Sequence, residues 1–280
     1  FSHLGQILNT SKSKKVLILS ISFNIILLGY FKYSNFFIEN AAYFFDFSFN
    51  FVHIILPLAI SFFTFQQIIY LLDSYKGLTQ SYNFHEYALF VTFFPQLIAG
   101  PIVHGRRLLP QLSRLGRNPC CIGLGCTLLV LGLSKKVLVA DSLAGGVDAI
   151  YAGQYGLDTI SVLAAAFGYG TQLYFDFSGY ADMAVGLGLL FGIRLPQNFR
   201  GPYSAHSLTE FWRRWHITLS SFLRDYLYIS LGGNRLGALR KSANLFITMA
   251  LGGLWHGAGL QFLLWGAAHG ALLSAEHGFR

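Results

Sequence analysis

The chain has 280 residues, of which 54% are hydrophobic and only 11% are charged, with a formal net charge of +8. A soluble domain usually carries about 25% charged residues, so this composition excludes an ordinary water-soluble protein. The basic residues fall between apolar runs, as at Lys14, Arg106 and Lys135. That distribution indicates contact with anionic headgroups rather than with a nucleic acid, so the predicted partner is membrane lipid.

Apolar runs that approach the roughly 20 residues needed by a spanning helix recur along the chain. They cover residues 16–38, 51–72, 87–103, 122–140, 159–175, 179–193, 245–255 and 260–275. Several are short or interrupted by Pro, Gly or polar residues, which is tolerated at membrane depth only where protein or a water-filled cavity surrounds the backbone. The runs predict an all-α, polytopic membrane protein with re-entrant segments in its second half.

The chain shows no boundary typical of a soluble domain, so residues 1–280 are expected to form a single membrane domain. It starts at Phe1 rather than Met and stops at Arg280 just after an apolar run. We therefore expect a fragment of a longer protein, truncated at both ends.

The segment that starts at Ser207 carries a strong helix signal. Ser207 and Glu210 form a capping-box pattern, and Gly232-Gly233 supplies a stop. One continuous amphipathic helix of about 35 Å is expected between them. Its apolar arc holds Trp212, Trp215 and His216, whereas Arg213 and Arg214 lie on the opposite arc. The arginines either face lipid headgroups or line an anion-attracting cavity.

Ionisable residues within apolar segments are costly and are therefore candidates for functional sites. His256 is flanked by glycines on both sides, so a ligand can approach its ring closely, and a neutral imidazole can accept a proton from a hydroxyl. The alternative is a histidine that is hydrogen-bonded between helices. His216 can orient a substrate or polarise a carbonyl, or Trp212 and Trp215 can simply pack around it.

Two carboxylates, Asp176 and Asp182, lie six positions apart in apolar surroundings. They are candidates for acid–base or substrate-binding groups, and ion pairs with arginines such as Arg213 or Arg224 are equally compatible with the sequence. The three cysteines, Cys120, Cys121 and Cys126, and the remaining histidines show no metal-site spacing, so no metal is expected.

Six stretches carry a resemblance to a known family. They are residues 56–66 (LPLAISFFTFQ), 94–101 (FPQLIAGP), 172–183 (QLYFDFSGYADM), 211–220 (FWRRWHITLS), 226–235 (YLYISLGGNR) and 253–258 (GLWHGA). With them, nearly the whole chain resembles the membrane-bound O-acyltransferases, and within these the bacterial alginate O-acetyltransferase type. The resemblance implies a ring of tilted and broken transmembrane helices around a central tunnel, in the cell (inner) membrane.

The resemblance also implies site residues. An essential histidine in an apolar stretch matches His256, and a second His, Asn or Asp some forty positions upstream matches His216. Residues expected to bind substrate or the acyl donor lie in the matched stretches, and they are Trp212, Trp215, Arg213, Arg214, Asp176, Asp182 and Asn234. No bound cofactor is expected, because acetyl-CoA or a similar thioester is a substrate.

The implied reaction is acetyl transfer from a cytoplasmic thioester to a hydroxyl, for O-acetylation of an exopolysaccharide such as alginate. His256 is then the general base, and the implied partners are a periplasmic acetyltransferase and the polysaccharide. Three alternatives stay open at this point: D-alanyl transfer to teichoic acid, a membrane transporter, which also uses broken helices and buried ionisable residues, and a structural subunit whose partner supplies catalysis.

Overall fold

A computed structural model describes residues 1–46, 53–80, 82–97, 100–116, 121–156 and 158–278. The described residues are mostly helical and include no β-strand, which confirms the predicted all-α class. The α-helices are α1 (Ser2–Ser11), α2 (Lys14–Phe45), α3 (Ile60–Tyr75), α4 (Phe84–Thr92), α5 (Phe94–Leu97), α6 (Gly105–Leu112), α7 (Ile122–Ser134), α8 (Asp141–Tyr151), α9 (Thr159–Leu190), α10 (Leu208–Arg214), α11 (Ile217–Phe222), α12 (Gly237–His256) and α13 (Leu260–Gly278). Lys135–Ala140 and Leu223–Tyr228 are π-helical, and Pro202–Ser204 is a 3₁₀ turn.

Two continuous helical stretches are long and apolar enough to cross a membrane, namely Lys14–Phe45 and Ile122–Tyr151. They contain the predicted spans 16–38 and 122–140. Large apolar side chains on both are exposed, among them Leu19 and Leu138. Exposed apolar side chains over the length of a helix are unfavourable in water but suit a lipid environment, so this surface agrees with a membrane protein.

The described residues divide into two compact units. The first comprises Phe1–Phe84, His104–Arg106 and Arg200–Arg280, and the second comprises His85–Val103 and Arg107–Phe199. The sequence predicted a single domain over 1–280, and that remains a prediction about the whole chain.

In the first unit, α12 and α13 pack closely through small residues. A Cβ added to Gly253 would lie 2.8 Å from the Gly266 Cα, and one added to Gly270 would lie 2.8 Å from the Phe246 Cα. Such distances exclude larger side chains, so the glycines let the two backbones approach, as is common between membrane helices. This packing fixes the carboxyl end of α12, where His256 lies.

In the second unit, α9 is one helix of 32 residues. The prediction of two separate segments at 159–175 and 179–193 is therefore wrong. Small residues explain the continuity, because Gly179 and Gly186 on α9 lie against Gly132 and Gly125 on α7. Because α7 packs closely against the polar middle of α9, the helix continues through that segment.

The helix predicted from Ser207 begins as expected. The Ser207 hydroxyl accepts from the Glu210 N–H at 3.1 Å, and the Glu210 carboxylate accepts from the His206 N–H at 2.8 Å. Its continuity was predicted wrongly, however, because α10 ends at Arg214. Trp215 has extended backbone angles, and His216 is left-handed with a φ of 42°. The segment is thus a short helix, a kink at residues 215–216, α11, and a π-helical turn.

The remaining predicted spans are shorter or longer than expected. Residues 51–52 and 98–99 lie outside the described residues. Within the described parts of 51–72 and 87–103, only residues 60–72, 87–92 and 94–97 are helical, in α3, α4 and α5. In contrast, 245–255 is the last part of the longer helix α12, and 260–275 falls within α13.

Candidate active site

The candidate base His256 is the last residue of α12, and its side chain is exposed. Its ring lies against two indoles, with centroid distances of 4.9 Å to Trp255 and 5.4 Å to Trp265. Among the described residues no carboxylate forms an ion pair with His256. A neutral imidazole at this position can accept a proton from a hydroxyl.

The kink at residues 215–216 brings His216 to the same indole. The His216 side chain is buried, and its ring centroid lies 6.4 Å from that of Trp255. The left-handed conformation turns this residue inward at the start of α11, whereas a continuous helix would have left it on a uniform apolar arc. Two histidines forty positions apart therefore both lie beside Trp255, in one aromatic cluster.

Trp212 extends this cluster on the α10 side. Its ring centroid lies 5.8 Å from that of Trp265 and 5.3 Å from that of His269. The ring centroids of Trp265 and His269 are 4.7 Å apart. The position of α10 is fixed by a hydrogen bond of 2.9 Å from the Thr209 N–H to the Glu276 carboxylate on α13. The histidines are thus held by rigid aromatic neighbours from three helices.

A cavity of about 380 Å³ lies in the first unit between the kinked segment and the helices α12 and α13. Three predicted binding residues line it, and they are Trp212, Arg213 and Asn234. Arg224 and the apolar residues Leu245 and Met249 also line it, whereas neither His216 nor His256 does. The cavity combines cationic and apolar walls, so it suits an amphiphilic anion.

The structure separates the two neighbouring arginines. Arg213 has no ion-pair partner among the described residues and lines the cavity. Arg214 instead pairs with Glu210, and its guanidinium donates to the Ser204 hydroxyl at 2.7 Å. The geometry therefore gives Arg213 a free charge for a ligand and gives Arg214 contacts within the protein. Trp215 is buried and stacks on Phe211, with centroids 5.6 Å apart.

The two predicted carboxylates belong to the second unit. Asp182 forms an ion pair of 2.5 Å with Lys135, and Asp176 forms one of 2.7 Å with Lys136. Lys136 also lies 2.7 Å from Asp141. Both carboxylates therefore form ion pairs, but with lysines of the π-helical turn and not with the arginines considered from the sequence.

A polar cluster around Asp73 was missed by sequence reasoning. This carboxylate, 1% exposed at the end of α3, accepts from the Tyr226 hydroxyl at 2.6 Å and contacts His104 at 3.2 Å. Arg106 lies 3.7 Å away. Burial by itself would raise the pKa of Asp73, but the hydrogen bonds from His104 and Tyr226 outweigh that effect and hold the pKa below its ordinary value. The available signal was an acidic residue at the end of an apolar run, since its partners lie far away in sequence.

The described residues contain no group of three or more His, Cys, Asp or Glu side chains arranged to hold a metal ion. Cys120 lies outside the described residues. Cys121 and Cys126 are free thiols at the start of α7.

Comparison with known proteins adds to this geometry. Residues 74–280 match the model of the membrane-bound O-acyltransferase family. The chain is 45% identical to the peptidoglycan O-acetyltransferase of Helicobacter pylori over an alignment of 291 positions, which covers 94% of this chain and 55% of that protein. It is 46% identical over 272 residues to the probable alginate O-acetylase AlgI of Pseudomonas aeruginosa, a match that covers 95% of this chain and 52% of that protein.

A more distant similarity relates it to the teichoic acid D-alanyltransferase of Bacillus subtilis, at 26% identity over 253 residues, 79% of this chain and 59% of that protein. The chain spans about half the length of the curated relatives that it matches.

Proposed function

This chain belongs to the membrane-bound O-acyltransferase family, and from that premise we propose that it transfers an acetyl group from a thioester donor to a hydroxyl acceptor. The observation that carries the proposal is that the kink places the ring of His216 against Trp255, the residue that directly precedes His256 on α12.

In the proposed mechanism, His256 removes the proton of the acceptor hydroxyl as the oxygen attacks the thioester carbonyl. A new C–O bond forms, the carbonyl C–S bond breaks, and the departing thiolate takes the proton from the imidazolium. General-base catalysis of this kind typically contributes about 10²- to 10⁴-fold to a rate. His216 or a backbone N–H of the glycine-rich residues 257–259, directly after His256, stabilises the negative charge that develops on the carbonyl oxygen.

We propose the cavity beside Arg213 as the binding site for the anionic end of the donor. Thr248, which lines the cavity, precedes His256 by eight residues on α12, so the two are separated by roughly 12 Å along the helix axis. A donor such as acetyl-CoA carries its phosphates at one end and its thioester at the other, joined by an extended arm. Phosphates beside Arg213 and a thioester beside His256 fit that shape.

The wider setting is also part of the proposal. The protein is a multi-pass protein of the cell inner membrane, in which a tunnel among tilted helices admits the donor from the cytoplasm and the acceptor from the other side. A periplasmic acetyltransferase then passes acetyl to an exopolysaccharide such as alginate. The similarity of the relatives at 45–46% identity, both named for O-acetyl transfer, supports acetyl over D-alanyl transfer.

The test uses the full chain purified in lipid nanodiscs with labelled acetyl-CoA and a soluble hydroxyl acceptor. Labelled ester should form with the wild type and disappear with His256→Ala. D-alanyl carrier protein as the donor, and peptidoglycan fragments against alginate oligomers as acceptors, identify the substrates. Movement of a substrate across the bilayer without ester formation would instead identify a transporter, and ester formation that persists in His256→Ala would contradict the assignment of the base.

A further inference from the structure

The helix that carries His256, α12, ends without a left-handed C-terminal capping residue. The last four carbonyls of an α-helix have no partner within it, and many helices satisfy them by a left-handed residue that follows. Here the residue after His256 is Gly257, which is extended, with φ −163° and ψ 158°. The terminal carbonyls of α12 therefore need donors from elsewhere in the protein.

Two consecutive residues of α2 supply these donors. The Tyr33 hydroxyl donates to the Leu254 carbonyl at 2.6 Å. The Lys32 ammonium donates to the Trp255 carbonyl, and also to the Ser61 hydroxyl at 3.2 Å. Adjacent donors on one helix thus reach adjacent carbonyls at the end of another, directly before His256.

The charge of Lys32 suits this position for two further reasons. Its ammonium lies 5.6 Å from the centroid of the Trp255 ring, within the range of a cation–π contact. The carboxyl end of a helix also carries partial negative charge, which a cation stabilises. A lysine in a membrane-spanning helix is costly when it faces lipid, and a long side chain usually extends toward the interface instead. Lys32 extends toward α12, where its charge has a defined partner.

Trp255 is held from its other sides by apolar contacts. The Phe65 ring stacks on the indole at 5.2 Å and 16°, and Phe62 meets it edge-on at 5.5 Å. These rings fix the indole, but they make no hydrogen bond to the backbone of α12. Lys32 and Tyr33 therefore add polar contacts to the backbone next to His256, beside the glycine packing of α12 on α13.

We propose that Lys32 and Tyr33 are positioning residues, which hold the end of α12 so that His256 points at the reacting groups. Neither residue touches a substrate in this account, and both precede the residues that match the family model. The inference rests on the proposed role of His256 as the base.

The test compares Lys32→Met, Lys32→Arg and Tyr33→Phe in nanodiscs, with rates normalised to folded protein. Misplacing a catalytic group by about 1 Å can cost about 100-fold in rate, so we expect Lys32→Met to lower kcat by about 10- to 100-fold while the KM for the donor stays within about threefold. Lys32→Arg keeps a cationic donor and should recover most of kcat. Tyr33→Phe should show a smaller loss than Lys32→Met.

Matched controls lie on the same helix. Lys15→Met removes an exposed lysine of α2, and Tyr30→Phe removes the hydroxyl of an exposed tyrosine. Both should leave kcat unchanged. In a His256→Ala background, Lys32→Met should cause no further loss of the residual rate, because a positioning residue acts only through the group that it positions.

Two results would overturn this inference while leaving the proposed base intact. One is a Lys32→Met variant with wild-type kcat beside an inactive His256→Ala variant. The other is a loss in Lys32→Met that Lys32→Arg does not recover and that appears equally in KM. If His256→Ala itself retains full activity, the proposed function fails first, and that outcome is visible in the same set of measurements.

Discussion

The region around His256 and the region around Asp182 differ in the partners of their ionisable side chains. Asp182 and Asp176 are matched by Lys135 and Lys136, so opposite charges offset each other within the second unit. His256 instead lies against the indoles of Trp255 and Trp265, and His216 lies against that of Trp255. No carboxylate forms an ion pair with His256 in the described part of the chain. Ion-paired side chains are occupied within the protein, whereas a histidine without an ion pair can exchange a proton with a substrate.

The largest expected effect separates these two regions directly. His256→Ala should lower the rate of acetyl transfer by about 10²- to 10⁴-fold, because it removes the general base. Asp182→Asn should keep most of the activity of each folded molecule, since its carboxylate pairs with Lys135. The measurement is the steady-state rate in nanodiscs, with His3→Ala, an exposed histidine of α1, as the control. Equal losses in His256→Ala and Asp182→Asn would remove the distinction.

The next effect distinguishes the two adjacent arginines, Arg213 and Arg214. Arg213 lines the cavity, whereas Arg214 pairs with Glu210. Hydrogen bonds to charged groups contribute about 1.5–3 kcal/mol, so Arg213→Gln should raise the KM for an anionic donor by about 10- to 100-fold. Arg214→Gln should change KM much less and should mainly lower thermal stability. A larger KM effect in Arg214→Gln would show that the cavity does not bind the donor.

A smaller effect concerns the ion pair of the second unit. Removing one partner leaves a partly buried charge, so Asp182→Leu or Lys135→Met should destabilise the protein by about 1–3 kcal/mol, between the values for exposed and buried pairs. The double variant should recover most of that loss, because neither charge is then left alone. Thermal unfolding in detergent measures all three variants. A double variant that is as unstable as the sum of the single variants would show that the pair is not a coupled unit.

The smallest effect is a dependence of stability on pH through Asp73. Its folded pKa lies below the ordinary carboxyl value of about 4, so its contribution to stability is present above that pH and is lost as the pH falls through the folded pKa. Asp73→Asn should be less stable at neutral pH and should lose less stability on acidification than the wild type. Parallel acid-unfolding curves for the two proteins would contradict the hydrogen-bonded carboxylate.

The sequence was most informative where a feature depends on local residues. The apolar runs predicted an all-α membrane protein, and Ser207 with Glu210 predicted the start of α10, because capping uses side chains three positions apart. The histidines at 216 and 256 were found because ionisable residues are rare in apolar stretches.

Features that depend on one residue's conformation or on distant partners could not be predicted. A helical wheel assumes a constant rotation of about 100° per residue, so it could not show the left-handed φ at His216 or the different surroundings of Arg213 and Arg214. The partners of Asp73 lie up to 153 positions away, and Lys32 reaches a carbonyl 223 positions away. Only the folded chain brings such groups together.

The central claim is that His256 takes the proton of the acceptor hydroxyl, and a single-turnover experiment with His256→Gln tests it most directly. Donor binding and label transfer are measured on the same nanodisc sample after rapid mixing with labelled acetyl-CoA. The account predicts that the variant binds the donor with wild-type affinity but transfers label at least about 100-fold more slowly. Transfer at the wild-type rate with normal binding would contradict the account.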